Sequence, residues 1–403
     1  MNILPVILGT DINSYGVARS FHEAYGIKSL ALGRKPLTYT RHSKIVDVEV
    51  TKDFNTEAVF LKKIKEVVER FKDDPRQLIL IPCSDGYNSL VSKHRDELSK
   101  YFLLNVNSLD LQEHLENKKN FYEVCEQYGL DYPDTVILDK DNYKDIAIPM
   151  DYPLALKPND SIAYLKIDFP GKKKAFKISD AEEMQATLNK IYQAGYTGEM
   201  IVQDFVPGNH SVMYVLNAYV NQNSEVKMMS LGKCLLDECL PTEIGNYNAL
   251  LTLGNMEIYQ QYKQFLEAIN YKGYANFDLK YDVRDGKFKV FEINLRQGRS
   301  SYYMNAGGCN FIKYLVDDLV FHKDEPTYYH EEHGLWLYVD PLVLRKYADP
   351  RDKDLVNKYL KEGYEFTQWY KEDRNIWRFL DYMRRRLSTI KYYPKYQPLR
   401  EKK

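Results

Sequence analysis

The chain has few cysteines, no long apolar run and almost no net charge, and each shortage removes a class of protein. Its five cysteines, Cys83, Cys125, Cys234, Cys239 and Cys309, are odd in number and include no CxxC pair. A disulfide scaffold is therefore excluded, and the thiols read as reduced, the state of a cytoplasmic protein. Cys234 and Cys239 have no histidine nearby, so zinc is not expected. No apolar stretch approaches the ~20 residues that a membrane-spanning helix needs. The opening MNILPVILGTD stops at a glycine and an aspartate and reads as a first strand, not a signal peptide. Lysine and arginine number 56 against 57 acidic residues, so no global field draws in nucleic acid. There is no internal repeat and no GxGxxG.

What is present is a chain of 403 residues, long enough for two or three domains, with 44% apolar residues to fill their cores. Residues 1 to about 105 alternate strand and helix. ILPVILG, SLALG and QLILIPC read as strands. VARSFHEAYG reads as a helix stopped by Gly26, and FLKKIKEVVERF as an amphipathic helix. This is a doubly wound α/β pattern, in which ligands bind at strand ends. The loop Gly9 to Gly16 and the segment SDGYN, residues 84–88, occupy such positions.

The segment YANFDLKYDVRDGKFKVFEINLRQGRSS, residues 274–301, reads as a β-hairpin. Phe277, Leu279 and Tyr281 alternate with Asn276, Asp278 and Lys280; Phe291, Ile293 and Leu295 alternate with Glu292 and Asn294. A two-residue Asp285-Gly286 loop would put Asp278 and Glu292 on opposite faces. A three-residue loop, Arg284 to Gly286 with Gly286 left-handed, pairs Asp278 with Glu292 and Asn276 with Asn294. Only the second register keeps one face apolar, so it is the expected one. Two adjacent carboxylates need a positive charge. Lys280 supplies one in the plain reading, an ion pair on a solvated strand. Mg²⁺ supplies it in the other, since it takes carboxylate oxygens completed by phosphate and water. The neutral ligand Asn294, and Arg296 and Arg299 just beyond, favour the metal.

A strand Asp followed by Glu-x-Asn on the next strand resembles the metal site of the ATP-grasp ligases. The family's other parts occur in order. Lys118, eleven residues before Gly129, matches the first nucleotide lysine, and Lys157 in YPLALKP the second. MIVQDFVPG, residues 200–208, matches the strand and hinge at the adenine, with Gln203, Asp204, Phe205 and Val206 as the hinge. Many members carry an acid just past the hinge for the ribose. Here Asn209 and His210 stand in its place, and either can hydrogen-bond a hydroxyl. The stretches VILGTDINSYGVARSFHEAYG, KKAFKI, EMIVQDFVPG and FEINLRQGRSS narrow the likeness to the D-aspartate ligases of cell-wall synthesis, over roughly residues 5–320.

The resemblance implies an ATP-grasp fold behind an N-terminal doubly wound domain. The expected division is residues 1–105 for that domain, 106–198 for a small lobe, 199–325 for a large lobe with the metal site, and 326–403 for a C-terminal extension. ATP and Mg²⁺ are the implied cofactors, with the metal on Asp278, Glu292 and Asn294. Lys118, Lys157 and Ser161 would hold phosphates, the last from a flap hairpin turning at Gly171. Arg296 would stabilise an oxyanion, while Arg299, Ser300 and Ser301 would grip the amino acid's α-carboxylate; the two arginine roles are exchangeable. The implied reaction joins the β-carboxylate of D-aspartate to the lysine ε-amino group of a UDP-linked muramyl-pentapeptide. The alternative is a ligase for another amino acid, or one forming dipeptides. Residues 374–403 carry ten Lys or Arg against two acidic residues, among aromatics. A packed helix with a frayed end is expected there, shortened by Pro394 and Pro398, with docking to an anionic membrane surface as the second reading.

Overall fold

The computed structural model describes residues 1–241 and 243–397, apart from the side chains of residues 161 and 162. The chain divides into two compact units. The first comprises residues 1–112, 209–278 and 293–403; the second comprises 113–208 and 279–292. Mixed α/β structure fills both.

In the first unit a four-stranded parallel sheet runs in the order Val46–Val50, Ser29–Gly33, Ile3–Leu8, Gln77–Pro82. The order reverses beside Ile3–Leu8. The loops leaving that strand and its neighbour Gln77–Pro82 therefore open at the position where doubly wound sheets bind ligands. Ile3–Leu8 is buried along its whole length, as a parallel strand covered on both faces must be. The following helix, Ile12–Tyr25, ends as expected at Gly26, which is left-handed at φ 68°. It begins five residues before the expected Val17, because Asp11 caps it by accepting the Ser14 N–H. The loop expected over residues 9–16 is thus only three residues long, and Gly16 lies inside the helix.

The larger sheet has the order Lys287–Asn294, Gly273–Asp282, Met213–Val220, Val226–Asp237, Tyr247–Leu253, Leu335–Leu337, Glu365–Phe366, with Tyr328–His330 beside Val226–Asp237. Residues 279–292 of its first two strands belong to the second unit. The expected hairpin is present, with Gly286 left-handed at φ 75° and its N–H donating to the Asp282 carbonyl. Its strands end at Asp282 and Lys287, so the turn holds four residues, one more than the three expected.

The second unit has an antiparallel sheet in the order Thr135–Leu138, Met200–Asp204, Leu154–Pro158, Phe176–Ile178. Leu154, Leu156, Ile178, Met200 and Val202 pack with Met184, Leu188 and Ile191 of the helix Ala181–Gln193. The flap expected as a simple hairpin differs. Leu154–Pro158 and Phe176–Ile178 do pair, but a one-turn helix, Ser161–Leu165, occupies the start of the connection. Gly171 is left-handed at φ 84° further along.

The C-terminal segment is longer and more ordered than its prolines implied. A helix runs from Ile376 to Tyr396 with Pro394 inside it. Proline this close to a helix end removes one hydrogen bond and little else. The last turn is anchored by buried Tyr393, whose hydroxyl donates to the Asp237 carbonyl (2.5 Å) and accepts from Asn248 (2.8 Å). Three of the helix's basic residues, Arg378, Arg385 and Arg386, are engaged inside the unit. Arg386 pairs with Asp340 (2.5 Å), and buried Arg378 donates to the carbonyls of Tyr39 and Gln368. Arg378 also pairs at 3.1 Å with Asp373, which is fully buried. The Asp373 carboxylate accepts three further bonds, from Tyr15 Oη (2.8 Å), Ser43 Oγ (2.8 Å) and the Lys44 N–H (2.6 Å).

Removing one partner from a buried, hydrogen-bonded ion pair strands the other. Asp373→Ala is therefore expected to destabilise the protein by about 3–5 kcal/mol. Urea unfolding checks this, and a change under 1 kcal/mol would refute it.

Candidate active site

In the first unit, Asp278 is half-buried midway along the strand Gly273–Asp282. Its Oδ1 accepts a 2.6 Å hydrogen bond from Tyr247 Oη. The same tyrosine's backbone carbonyl accepts from Arg299 Nη1 at 3.3 Å. One residue thus holds both the candidate metal carboxylate and an arginine of the following loop. Asn294 donates its amide to Asn276 Oδ1 (3.2 Å), which fixes the orientation of its own Oδ1. Asn276 in turn donates to Asn217. The loop after Asn294 is pinned at several points. Arg296 pairs with both oxygens of Asp85 at 2.8 and 2.9 Å, from the segment 84–88 expected at this crevice. Gln297 donates to the Pro82 carbonyl, and Asn13 donates to the carbonyls of both Cys83 and Gln297. At Gly298 a Cβ would meet the Asn276 amide at 3.1 Å, so glycine permits this close approach. Ser300 and Ser301 are buried, and the Ser301 hydroxyl is directed to Asn217 at 3.4 Å. Arg299 presents an open donor: its Nη2 has no hydrogen-bond partner among the described residues.

His210 also belongs to this unit. It is buried, its Nδ1 is 3.2 Å from Asp237, and its Nε2 has no partner among the described residues. Asn209 is turned away, donating to Asp349 (2.6 Å).

The second unit brings the two lysines to one carboxylate. Lys157 donates to Tyr122 Oη at 3.2 Å and lies 5.7 Å from the Phe291 ring centroid. Burial pushes its pKa down to about 8, against which the charge of Glu292 acts. Lys118 is likewise lowered by burial; Glu292 opposes that shift, while Lys157 and Lys174 add to it. The hinge residues take several roles. Gln203 is buried and donates to Thr135. Asp204 is clamped by both guanidinium nitrogens of Arg284. The Phe205 ring lies under Lys177 (4.6 Å) and Lys280 (5.3 Å). Lys280 is buried and donates to the Val206 carbonyl at 2.7 Å, its pKa lowered by burial to about 8. Among the described residues it forms no ion pair on the strand face. The Ser161 side chain lies outside the described residues.

Asp278 and Asn294 in the first unit, and Glu292 in the second, carry hard-oxygen donors of the kind that Mg²⁺ takes. Among the described residues no group of three or more His, Cys, Asp or Glu side chains gathers as a metal site of another kind.

Solved structures with this fold are ATP-grasp enzymes. N5-carboxyaminoimidazole synthetase from Staphylococcus aureus, complexed with ADP, aligns with a TM-score of 0.60 at 14% identity, over 90% of this chain and 86% of that one. The biotin carboxylase domain of Hydrogenobacter thermophilus 2-oxoglutarate carboxylase, solved with MgADP, gives 0.60 at 15% over 80% and 71%. L-Amino acid ligase from Bacillus licheniformis gives 0.56 at 15% over 79% and 74%. No protein-family model matches the chain. The fold is ATP-grasp, and the enzyme is an ATP-dependent, amide-forming ligase. A curated relative specifies which: the D-aspartate ligase of Enterococcus faecium (strain Aus0004) is 45% identical over 394 residues, 94% of either protein. The chain belongs to the D-aspartate ligase family.

The lysine chemistry gives a pH test. With a pKa of about 8, Lys157 is mostly neutral at pH 8.5 in the free enzyme. A polyanion bound against it raises that pKa, so ADP binding at pH 8.5 should take up a fraction of a proton, and less at pH 7. Calorimetry in buffers of different ionisation enthalpy measures the uptake. Lys157→Met should remove it; uptake unchanged in the variant would clear Lys157 of phosphate contact.

Proposed function

We propose that the enzyme phosphorylates the β-carboxylate of D-aspartate and joins it to the ε-amino group of the stem-peptide lysine of a UDP-linked muramyl-pentapeptide. The observation that carries this is Tyr247, which binds Asp278 through its hydroxyl and Arg299 through its carbonyl. A cation suited to an amino-acid carboxylate thereby stands one residue away from a carboxylate suited to Mg²⁺. The 45% identity to a D-aspartate ligase supports the choice of amino acid. Buried, unpaired thiols at Cys83, Cys125, Cys234 and Cys309 fit a cytoplasmic setting.

An amide does not form from a carboxylate and an amine in water without activation. A β-carboxylate oxygen attacks the γ-phosphorus, the bond from that phosphorus to the β–γ bridging oxygen breaks, and ADP leaves. The lysine nitrogen then attacks the acyl carbon, the carbon–oxygen bond breaks with its electron pair on phosphate, and the nitrogen loses a proton. Lys118 and Lys157 hold the nucleotide phosphates; such transfer needs mainly position and electrostatics. The hinge Gln203–Val206 faces the base, and His210 offers Nε2 to a ribose hydroxyl while Asp237 fixes its ring. Mg²⁺, when bound by Asp278, Glu292 and Asn294, supplies positive charge for the phosphates. Arg296, held by Asp85, donates to the oxyanion at the acyl carbon. Arg299 holds the α-carboxylate by a two-pronged contact that a lysine cannot reproduce.

ATP cleavage screened against D- and L-amino acids, with and without the muramyl acceptor, tests the reading. Maximal turnover with D-aspartate plus acceptor is expected, and phosphorus NMR should show ADP and phosphate. Stoichiometric AMP, or preference for another amino acid, would overturn it.

Asp278→Asn and Glu292→Gln should each lower turnover by ~10²–10³ while leaving the thermal melt in place. Near wild-type turnover at saturating Mg²⁺ in either variant would remove that residue from the metal site.

A further inference from the structure

Arg299 shares its site with a second arginine. Arg385, on the C-terminal helix Ile376–Tyr396, donates through Nη2 to Tyr39 Oη at 2.5 Å. Tyr39 Oη lies 2.5 Å from Tyr338 Oη. The Arg299 guanidinium sits 4.0 Å from the Tyr338 ring centroid and that of Arg385 sits 5.2 Å from the same centroid. Two cations therefore lie against one tyrosine. The acid that acts on both is Glu243; its nearest approach is 4.0 Å, to Arg299 Nη2, and its side chain is 44% exposed. The other arginines near this face are already matched, Arg386 by Asp340 and Arg296 by Asp85.

Two guanidiniums repel one another, and a buried donor without a partner is unfavourable. Arg299 Nη2 is such a donor. Both conditions are relieved by one planar anion with two oxygens. The position fits a substrate. Tyr39 lies beyond the C-terminal end of the strand Ser29–Gly33, and Tyr338 directly follows Leu335–Leu337. Tyr247 ties Arg299 to Asp278.

We propose that Arg385 and Arg299, oriented by the Tyr39–Tyr338 hydroxyl pair, form a two-arginine clamp for a carboxylate, and that the carboxylate is the non-reacting one of the amino-acid substrate. This rests on the D-aspartate ligase reading above. A dicarboxylic amino acid has two chemically similar ends. A clamp with two cations holds one end and leaves the other as the phosphoryl acceptor. The second arginine comes from the C-terminal extension, so donor selection is built partly from outside the nucleotide-binding fold.

The test measures D-aspartate affinity by calorimetry with ADP and Mg²⁺ present, alongside separate Michaelis constants for D-aspartate, ATP and the muramyl acceptor. Arg385→Gln should weaken D-aspartate about tenfold or more, the loss expected for one charge-assisted contact, and leave the ATP and acceptor constants within about twofold. Arg385→Lys should recover only part, and added guanidinium chloride at millimolar concentration should partly rescue Arg385→Gln. Exposed Arg384, changed to Gln, should have no effect. The clamp is overturned if Arg385→Gln keeps wild-type D-aspartate affinity, if its loss falls on the acceptor, or if guanidinium fails to rescue a folded variant. Should the wild type not use D-aspartate at all, the functional reading fails, and succinate then tests the clamp alone. Succinate binding lost in Arg385→Gln upholds it; no succinate binding by the wild type, or equal binding by both, overturns it.

Discussion

The buried carboxylate of Asp373 is the contact on which the first unit depends. Four donors from three separated stretches of chain converge on it: Tyr15, Ser43, the Lys44 amide and Arg378. A lone buried carboxylate is strongly unfavourable, and one with a guanidinium and three hydrogen bonds is not. The geometry therefore tolerates little slack. Through Arg378 the same anion fixes the start of the C-terminal helix, and Arg378 also holds the Tyr39 carbonyl. Tyr39 and Arg385 face each other because Asp373 secures the elements that carry them.

The second unit stores electrostatic energy in the opposite sense. Lys118, Lys157 and Lys280 are all depressed by burial, so each ammonium is held in a site that disfavours it. Lys280 relieves this internally, on the Val206 carbonyl. Glu292 opposes the shift at both Lys118 and Lys157, and Asp160 also opposes it at Lys118.

Where local pattern decides structure, the sequence was legible. Three of the four parallel strands were readable from their apolar runs; the fourth, Val46–Val50, was not, because its valines alternate with acidic residues. Gly26 and Gly286 were readable as left-handed stops. Helix Ile12–Tyr25 began earlier than expected because Asp11 is a cap, a signal that was present but unread. Pro394 misled, since the cost of proline depends on its distance from a helix end. Tyr247, Tyr39, Tyr338 and Arg385 were out of reach for a different reason. They meet through contacts spanning tens to hundreds of residues, and among 35 tyrosines no local pattern marks these three. Ser301 had the right neighbours in sequence but its hydroxyl turns inward to Asn217.

The division of the chain has a consequence for synthesis. The first unit is assembled from residues 1–112, 209–278 and 293–403, so the chain leaves it twice and returns twice. Its contacts are among the most distant in sequence that the protein makes, such as Tyr15 to Asp373. On the ribosome, where chains fold as they emerge, residues 113–208 are available early, while the Asp373 anchor appears only after most of the chain has left the exit tunnel. The N-terminal sheet is made first, but its switch-point loops gain their contacts to Arg296 and Gln297, and Tyr15 and Ser43 theirs to Asp373, only when those residues emerge. Loop-closure entropy makes such late, long-range assembly slow. Completion of the first unit thus falls to the last part of the chain to be made.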